Sequence, residues 1–141
     1  AKKFAWGEHD CGLFAADCVR AMTGVDPAAA FRGRYANRRG AYAALRRVVG
    51  AGGVRAGFKP APTDAALSAA WTAALGTPLV NPNLAQRGDV VLVDTHAGAA
   101  CGVAPTGGPA TGVVVGGAIA APGPHGLIFL PRGAALQAWR V

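Results

Sequence analysis

Trp6-Gly7-Glu8-His9-Asp10-Cys11-Gly12-Leu13-Phe14, continuing to Gly24, is the stretch around which the rest of the chain is organised. From Cys11 onward the apolar positions Phe14, Ala15, Cys18, Val19 and Met22 follow three-and-four spacing, the stripe of one helix face. Asp10 is a good N-cap, and Gly24 suits the residue just past the last turn. Cys11 should therefore open a buried helix. A thiol in that place meets the positive end of the helix dipole and unpaired backbone N–H groups, which favour the thiolate. Cys18, two turns later, has no such advantage.

A cysteine that opens a buried helix is how papain-like enzymes present a nucleophile. Phe4-Ala5-Trp6-Gly7 followed by Asp10-Cys11-Gly12-Leu13-Phe14 resembles the start of the NlpC-type cysteine peptidases, Tyr-x-x-Gly and then Asp-Cys-Ser-Gly. Arg87-Gly88-Asp89-Val90-Val91-Leu92-Val93 resembles their Pro-Gly-Asp plus apolar strand. The likeness extends to a small NlpC-like family carried in phage tail modules, through Asp26-Pro27, Arg32-Gly33-Arg34-Tyr35, Gly88-Asp89-Val90-Val91 and Ala138-Trp139-Arg140. The resemblance implies an α+β papain-like fold, N-terminal helices packed on a C-terminal antiparallel sheet or half-barrel. It also implies a place in a phage-like virion tail, made in the host cytoplasm, with other tail or baseplate proteins as partners. Peptidoglycan is the substrate it implies if the domain is active.

At 141 residues the chain is long enough for one domain, 1–141, with a real core. The expected division is mainly helical over 1–76 and mainly strands over 88–141. No transmembrane span or signal-peptide pattern is read, since Ala1-Lys2-Lys3 leads only into a short apolar helix. Three cysteines, an odd number, argue against a disulfide framework. No CxxC or histidine pair has zinc-ligand spacing, so neither a metal nor any other cofactor is expected. Net charge is +7, from fourteen Lys and Arg against seven acids. Nucleic acid is a disfavoured partner, because no basic strand interleaved with aromatics and no recognition helix appears. Arg32, Arg34, Arg38 and Arg39 instead suggest an interface with an acidic neighbour.

Further along, Val25 to Phe31 reads as a short second helix, capped by Asp26 with Pro27 at its first position. A basic loop, 32–39, precedes a helix from Ala41 to Val49, and Thr63 or Asp64 caps another from Ala65 to Leu75, closed by Gly76. Residues 77–87 read as a loop. The strand-like runs are 90–93, 99–104, 112–115, 118–121, 127–130 and 136–141, parted by Gly and Pro clusters. Trp6, Trp71 and Trp139 should be buried. Helices first and strands second again give α+β.

A cysteine hydrolase needs a base to take the thiol proton and pass it to the leaving group. The family resembled supplies a histidine in a His-x-Gly-apolar turn after the Gly-Asp strand. Ala100-Cys101-Gly102-Val103 and Ala110-Thr111-Gly112-Val113 can each align with that turn, the second better, and both hold alanine at the histidine position. His96 is the remaining candidate base. His9 and His125 lie in loops, and no third, orienting residue is assigned. Cys11 is thus a candidate nucleophile whose base is missing at the expected place. Whether the chain is an enzyme stays open at this point.

Overall fold

A computed structural model describes residues 2–50, 63–94 and 109–141. Within them the helices come first, α1 (Cys11–Thr23), α2 (Arg38–Gly50) and α3 (Thr63–Leu75). Five strands follow, β1 (Val90–Asp94), β2 (Pro109–Val114), β3 (Ala118–Gly123), β4 (Gly126–Pro131) and β5 (Ala135–Trp139). The fold is α+β, and all strand pairs are antiparallel in the order β4-β3-β2-β1-β5. The strand-like run at 99–104 lies outside the described residues, as do His96 and Cys101.

Only Arg132–Ala134 joins β4 to β5, yet these strands are the two edges of the sheet. Edge to edge, a flat five-stranded sheet measures about 19 Å. The chain from Pro131 to Ala135 reaches about 14 Å at most. The sheet therefore curls. Val91 and Val93 of β1, Ala110 and Val114 of β2, Ile119 of β3, Leu130 of β4 and Ala138 of β5 accordingly meet in one buried cluster. Residues of opposite parity, Val90, Leu92, Val113 and Trp139, face the helices and pack with Leu13, Ala16, Val19, Leu67 and Trp71. This alternation is what a strand buried on both faces requires.

Helix α1 starts and stops where the sequence places its caps. Asp10 accepts from the Leu13 N–H at 3.0 Å, and Gly24 takes φ +80° with its N–H on the Arg20 carbonyl. Its buried side is rotated from the expected stripe. Leu13 and Ala16 are buried and Met22 is half exposed, because the sheet and the later helices cover α1 from two directions. Helix α2 begins earlier than expected, since the Asn37 side chain caps it by accepting from the Gly40 N–H at 2.8 Å. Arg38 and Arg39 therefore belong to a helix and not to a loop. Between α1 and α2 the expected short helix is absent. Residues 27–33 form turns in which the Phe31 and Arg32 N–H groups share the Ala28 carbonyl. One such turn satisfies few backbone groups, and helix growth from it is uphill.

Asp89 ties the end of the chain down. Its buried carboxylate accepts from the Gln86 N–H at 2.8 Å and the Val141 N–H at 3.1 Å, and pairs with the Arg140 guanidinium at 3.1 Å. The Gly-Asp and Ala-Trp-Arg segments are thus two halves of one clamp. Trp139 is fully buried with its indole N–H on the Thr72 hydroxyl at 3.2 Å, and Trp71 is buried as well. Trp6 is only half-buried, its ring set edge-on against Phe4. Trp139→Ala should destabilise the fold by about 3–5 kcal/mol, as a large core aromatic removed without collapse of its site. Denaturant unfolding followed by circular dichroism checks this, and a loss of under about 1 kcal/mol would contradict the placement.

Candidate functional site around Cys11

Gly7 adopts φ +78°, and a Cβ there would lie 2.0 Å from the Tyr35 carbonyl oxygen. Only glycine allows that approach. It brings Tyr35 over the start of α1, where its hydroxyl donates to the Asp10 carboxylate at 2.7 Å. The same carboxylate accepts from the Gly7 N–H at 3.0 Å and the Leu13 N–H at 3.0 Å. Asp10 is 2% exposed, so these three donors replace its water. Burial first, and then Asp10, push the Tyr35 hydroxyl far above its usual range, which keeps it a donor.

Cys11 follows as the first residue of α1, buried and in one cluster with Ala110, Val91 and Val93. Burial pushes its thiol from the ordinary 9.0 up to about 11. Hydrogen bonding from the backbone of Thr111, Gly12 and Cys11 itself pulls the other way, and the charge of Asp10 pushes up. The helix start was expected to favour the thiolate. Loss of solvation outweighs it, as for a thiol in apolar surroundings.

Cys11 also lines a cavity of about 80 Å³ between α1, the 27–35 segment, α2 and α3. Its wall is chiefly apolar, from Leu13, Phe31, Leu45, Leu67 and Trp71, with Tyr35 and Tyr42 adding hydroxyls. Trp71 is fixed there by its indole N–H, which donates to the Thr111 hydroxyl at 3.2 Å and so ties α3 to β2. Ala110, the better of the two positions expected to align with the histidine of the resembled peptidases, precedes Thr111 in β2 and packs in the Cys11 cluster, whereas Ala100 lies outside the described residues. At that point the chain offers a methyl group and no proton acceptor.

A sequence model of the family described as "Domain of unknown function (DUF6950)" matches residues 1–141. The chain belongs to this family. No curated protein and no solved structure matches it.

In this DUF6950 chain the other candidate residues are spread apart. His96 lies outside the described residues. His9 sits in the turn before α1 with its ring edge-on to Phe14, and its Nδ1 is buried without a hydrogen-bond partner. His125 is exposed in the β3–β4 turn. Neither lines the Cys11 cavity. Arg32 is committed within the protein, pairing with Asp17 and Asp26 at 2.6 Å each, which holds Asp26 below its ordinary range. Arg34 and Arg39 are exposed, and Arg38 lies over the Tyr42 ring at 5.8 Å. Among the described residues, Cys11 and Cys18 are free thiols, no cluster of acids, His and Cys could hold a metal ion, and no helix is long and apolar enough to cross a membrane. Sequence reasoning missed the role of Tyr35. Its signal was the Arg-Gly-x-Tyr segment, quoted for its likeness and given no partner.

The thiol value has a direct readout. A raised value in the folded state leaves stability untouched below about pH 9 and weakens folding as pH climbs from about 9 towards 11. Cys11→Ala should remove that component. Thiolate absorbance and iodoacetamide rates, followed against pH with Cys18→Ser and Cys101→Ser as background, should place the midpoint near 11. A midpoint below 8 would mean an activated thiol. Tyr35→Phe, which takes one donor from a buried carboxylate, should cost about 1.5–3 kcal/mol in thermal or denaturant unfolding.

Proposed function

We propose that this protein is a tail-tip or baseplate component of a phage-like particle, with a papain-like NlpC-type fold and a cysteine centre that no longer catalyses. The tail setting and the fold assignment are carried by the resemblance of Trp6-Gly7, Asp10-Cys11, Arg32-Gly33-Arg34-Tyr35, Gly88-Asp89 and Ala138-Trp139-Arg140 to that family. The loss of catalysis is carried by one observation: Ala110 occupies the histidine position beside a buried thiol raised to about 11. General-base catalysis needs a positioned acceptor with a value near the working pH. The α+β order, helices before a curled antiparallel sheet, suits this reading.

One observation favours the competing reading, an active peptidase that cuts peptidoglycan stems during genome entry. Hydrogen bonding from the backbone of Thr111, Gly12 and Cys11 lowers the thiol's value against its burial, as donors to a thiolate or a developing oxyanion do. The alanine at position 110 outweighs it, because among the described residues no histidine lines the Cys11 cavity and burial keeps the thiol protonated at neutral pH.

Purified peptidoglycan incubated with the protein should release no muropeptides above the level given by Cys11→Ala. Particles carrying Cys11→Ala should assemble complete tails and infect normally. Cleavage that disappears with Cys11→Ala would replace this reading by the peptidase.

A further inference from the structure

The positive charge of this protein is confined to one part of the chain. Residues 27–63 hold eight of the fourteen Lys and Arg and none of the seven acids, so the other residues together sum to −1. Helix α2 lies in that stretch with two different sides. Ala41, Tyr42 and Leu45 line the cavity beside Cys11. Arg39 and Arg46, seven residues apart and both exposed, fall on one flank of the same helix, about 10 Å from each other. Arg39 is one turn before Tyr42, and Arg46 is next to Leu45. Arg34 is exposed just ahead of the helix.

We propose that α2 carries a docking site for an acidic polypeptide segment with one apolar anchor residue: the anchor enters the cavity, and flanking carboxylates pair with Arg39 and Arg46. The inference rests on reading the domain as a binding module and not a peptidase, and it does not depend on the tail setting. The cavity has room for about five waters, the bulk of one side chain and not of a long acyl chain. Its wall is apolar, so it gains by receiving an apolar group. Arginine forks match carboxylates bidentately. A second copy of the chain, with seven acids against fourteen Lys and Arg, is a poor source of carboxylates. Of the acids whose side chains are described, Asp10 and Asp89 are buried, Asp17 and Asp26 already pair with Arg32, and Glu8 is exposed. A nucleic acid would meet the charge, but no exposed aromatic for base stacking stands among the described residues of 27–50.

The test uses four probes with the full-length protein: a labelled nine-residue peptide of eight Glu around a central Phe, the same peptide with Ser at the centre, a single-stranded oligonucleotide of equal charge, and phosphatidylglycerol vesicles. The Phe peptide should bind about tenfold more tightly than the Ser peptide. Arg39→Glu with Arg46→Glu should abolish binding of both peptides, while circular dichroism stays unchanged. Ala70→Leu, which adds bulk to the cavity wall, should erase the difference between Phe and Ser. No peptide binding, equal binding of Phe and Ser, insensitivity to the arginine changes, or tighter binding of the oligonucleotide or vesicles would each overturn the proposal. Mass spectrometry of the recovered probe separates the two readings, since cleavage of the peptide would count against the non-catalytic function and not against docking.

Discussion

A single buried carboxylate, that of Asp10, fixes the front of this molecule. Its two oxygens hold the first turn of α1, the chain ahead of that turn at Gly7, and a hydroxyl arriving from Tyr35. Each bond to an ionised acceptor is stronger than a neutral one, and together they compensate for taking the charge out of water. The neighbouring pieces only make sense around it. Gly7 must lack a Cβ for the Tyr35 backbone to pass, and the Gly33 N–H returns to the Gly7 carbonyl at 3.3 Å. Arg32, one residue before Gly33, grips Asp17 on α1 and Asp26 ahead of it. The segments Trp-Gly, Asp-Cys, Asp-Pro and Arg-Gly-x-Tyr are therefore parts of one hydrogen-bonded knot. Their spacing along the chain follows from the loop each must cross.

Asp89 repeats the device at the other end, joining the loop before β1 to the residues after β5. With Asp10 and Asp89 buried and Asp17 and Asp26 paired, four of the seven acids are spent on architecture. On α2, Arg39, Arg46 and Arg47 are exposed to solvent. An imbalance of this kind weakens a compact state through self-repulsion unless something else uses it. Its confinement to one helix and the segments beside it, and not the net charge as such, makes it an argument about recognition.

Much of the fold was legible in the sequence because its signals are local. Asp10 and Gly24 bound α1, Gly76 ends α3 with φ +91°, and each described strand overlaps a run read for it, though β2 begins earlier, at Pro109, and β3 runs on through Pro122 to Gly123. Trp71 and Trp139 are buried as expected. The failures share a cause, which is partners distant in sequence. The buried side of α1 turned towards Leu13 and Ala16 because covering comes from α3 and β2 as well as from its own stripe. Residues 25–31 had a good cap and an N1 proline, yet tertiary ties at Arg32 and Gly7 stop the turn from growing. Arg32 read as a surface charge because Asp17 lies fifteen residues away. For the site, the place of Cys11 at the start of α1 was visible in the chain. The thiol's raised value was not, since it depends on burial by strands a hundred residues later.

If the centre no longer catalyses, the retention of cysteine at position 11 needs its own physical reason, and packing supplies one. Free cysteine behaves as a small hydrophobe with weak hydrogen-bonding capacity. At position 11 it fills space in the same cluster as Ala110, Val91 and Val93, while its sulfur accepts diffuse contact from the backbone of Thr111 and Gly12. Alanine would leave those N–H groups facing a void that continues into the cavity. Serine would satisfy them but bury a hydroxyl whose own proton then needs an acceptor, and no described histidine lines the cavity to provide it. A thiol asks less of its surroundings than either. The residue that a peptidase needs as a nucleophile is thus also the residue that this core tolerates best, so the persistence of Cys11 is no evidence of activity; the base is where activity would have to be read.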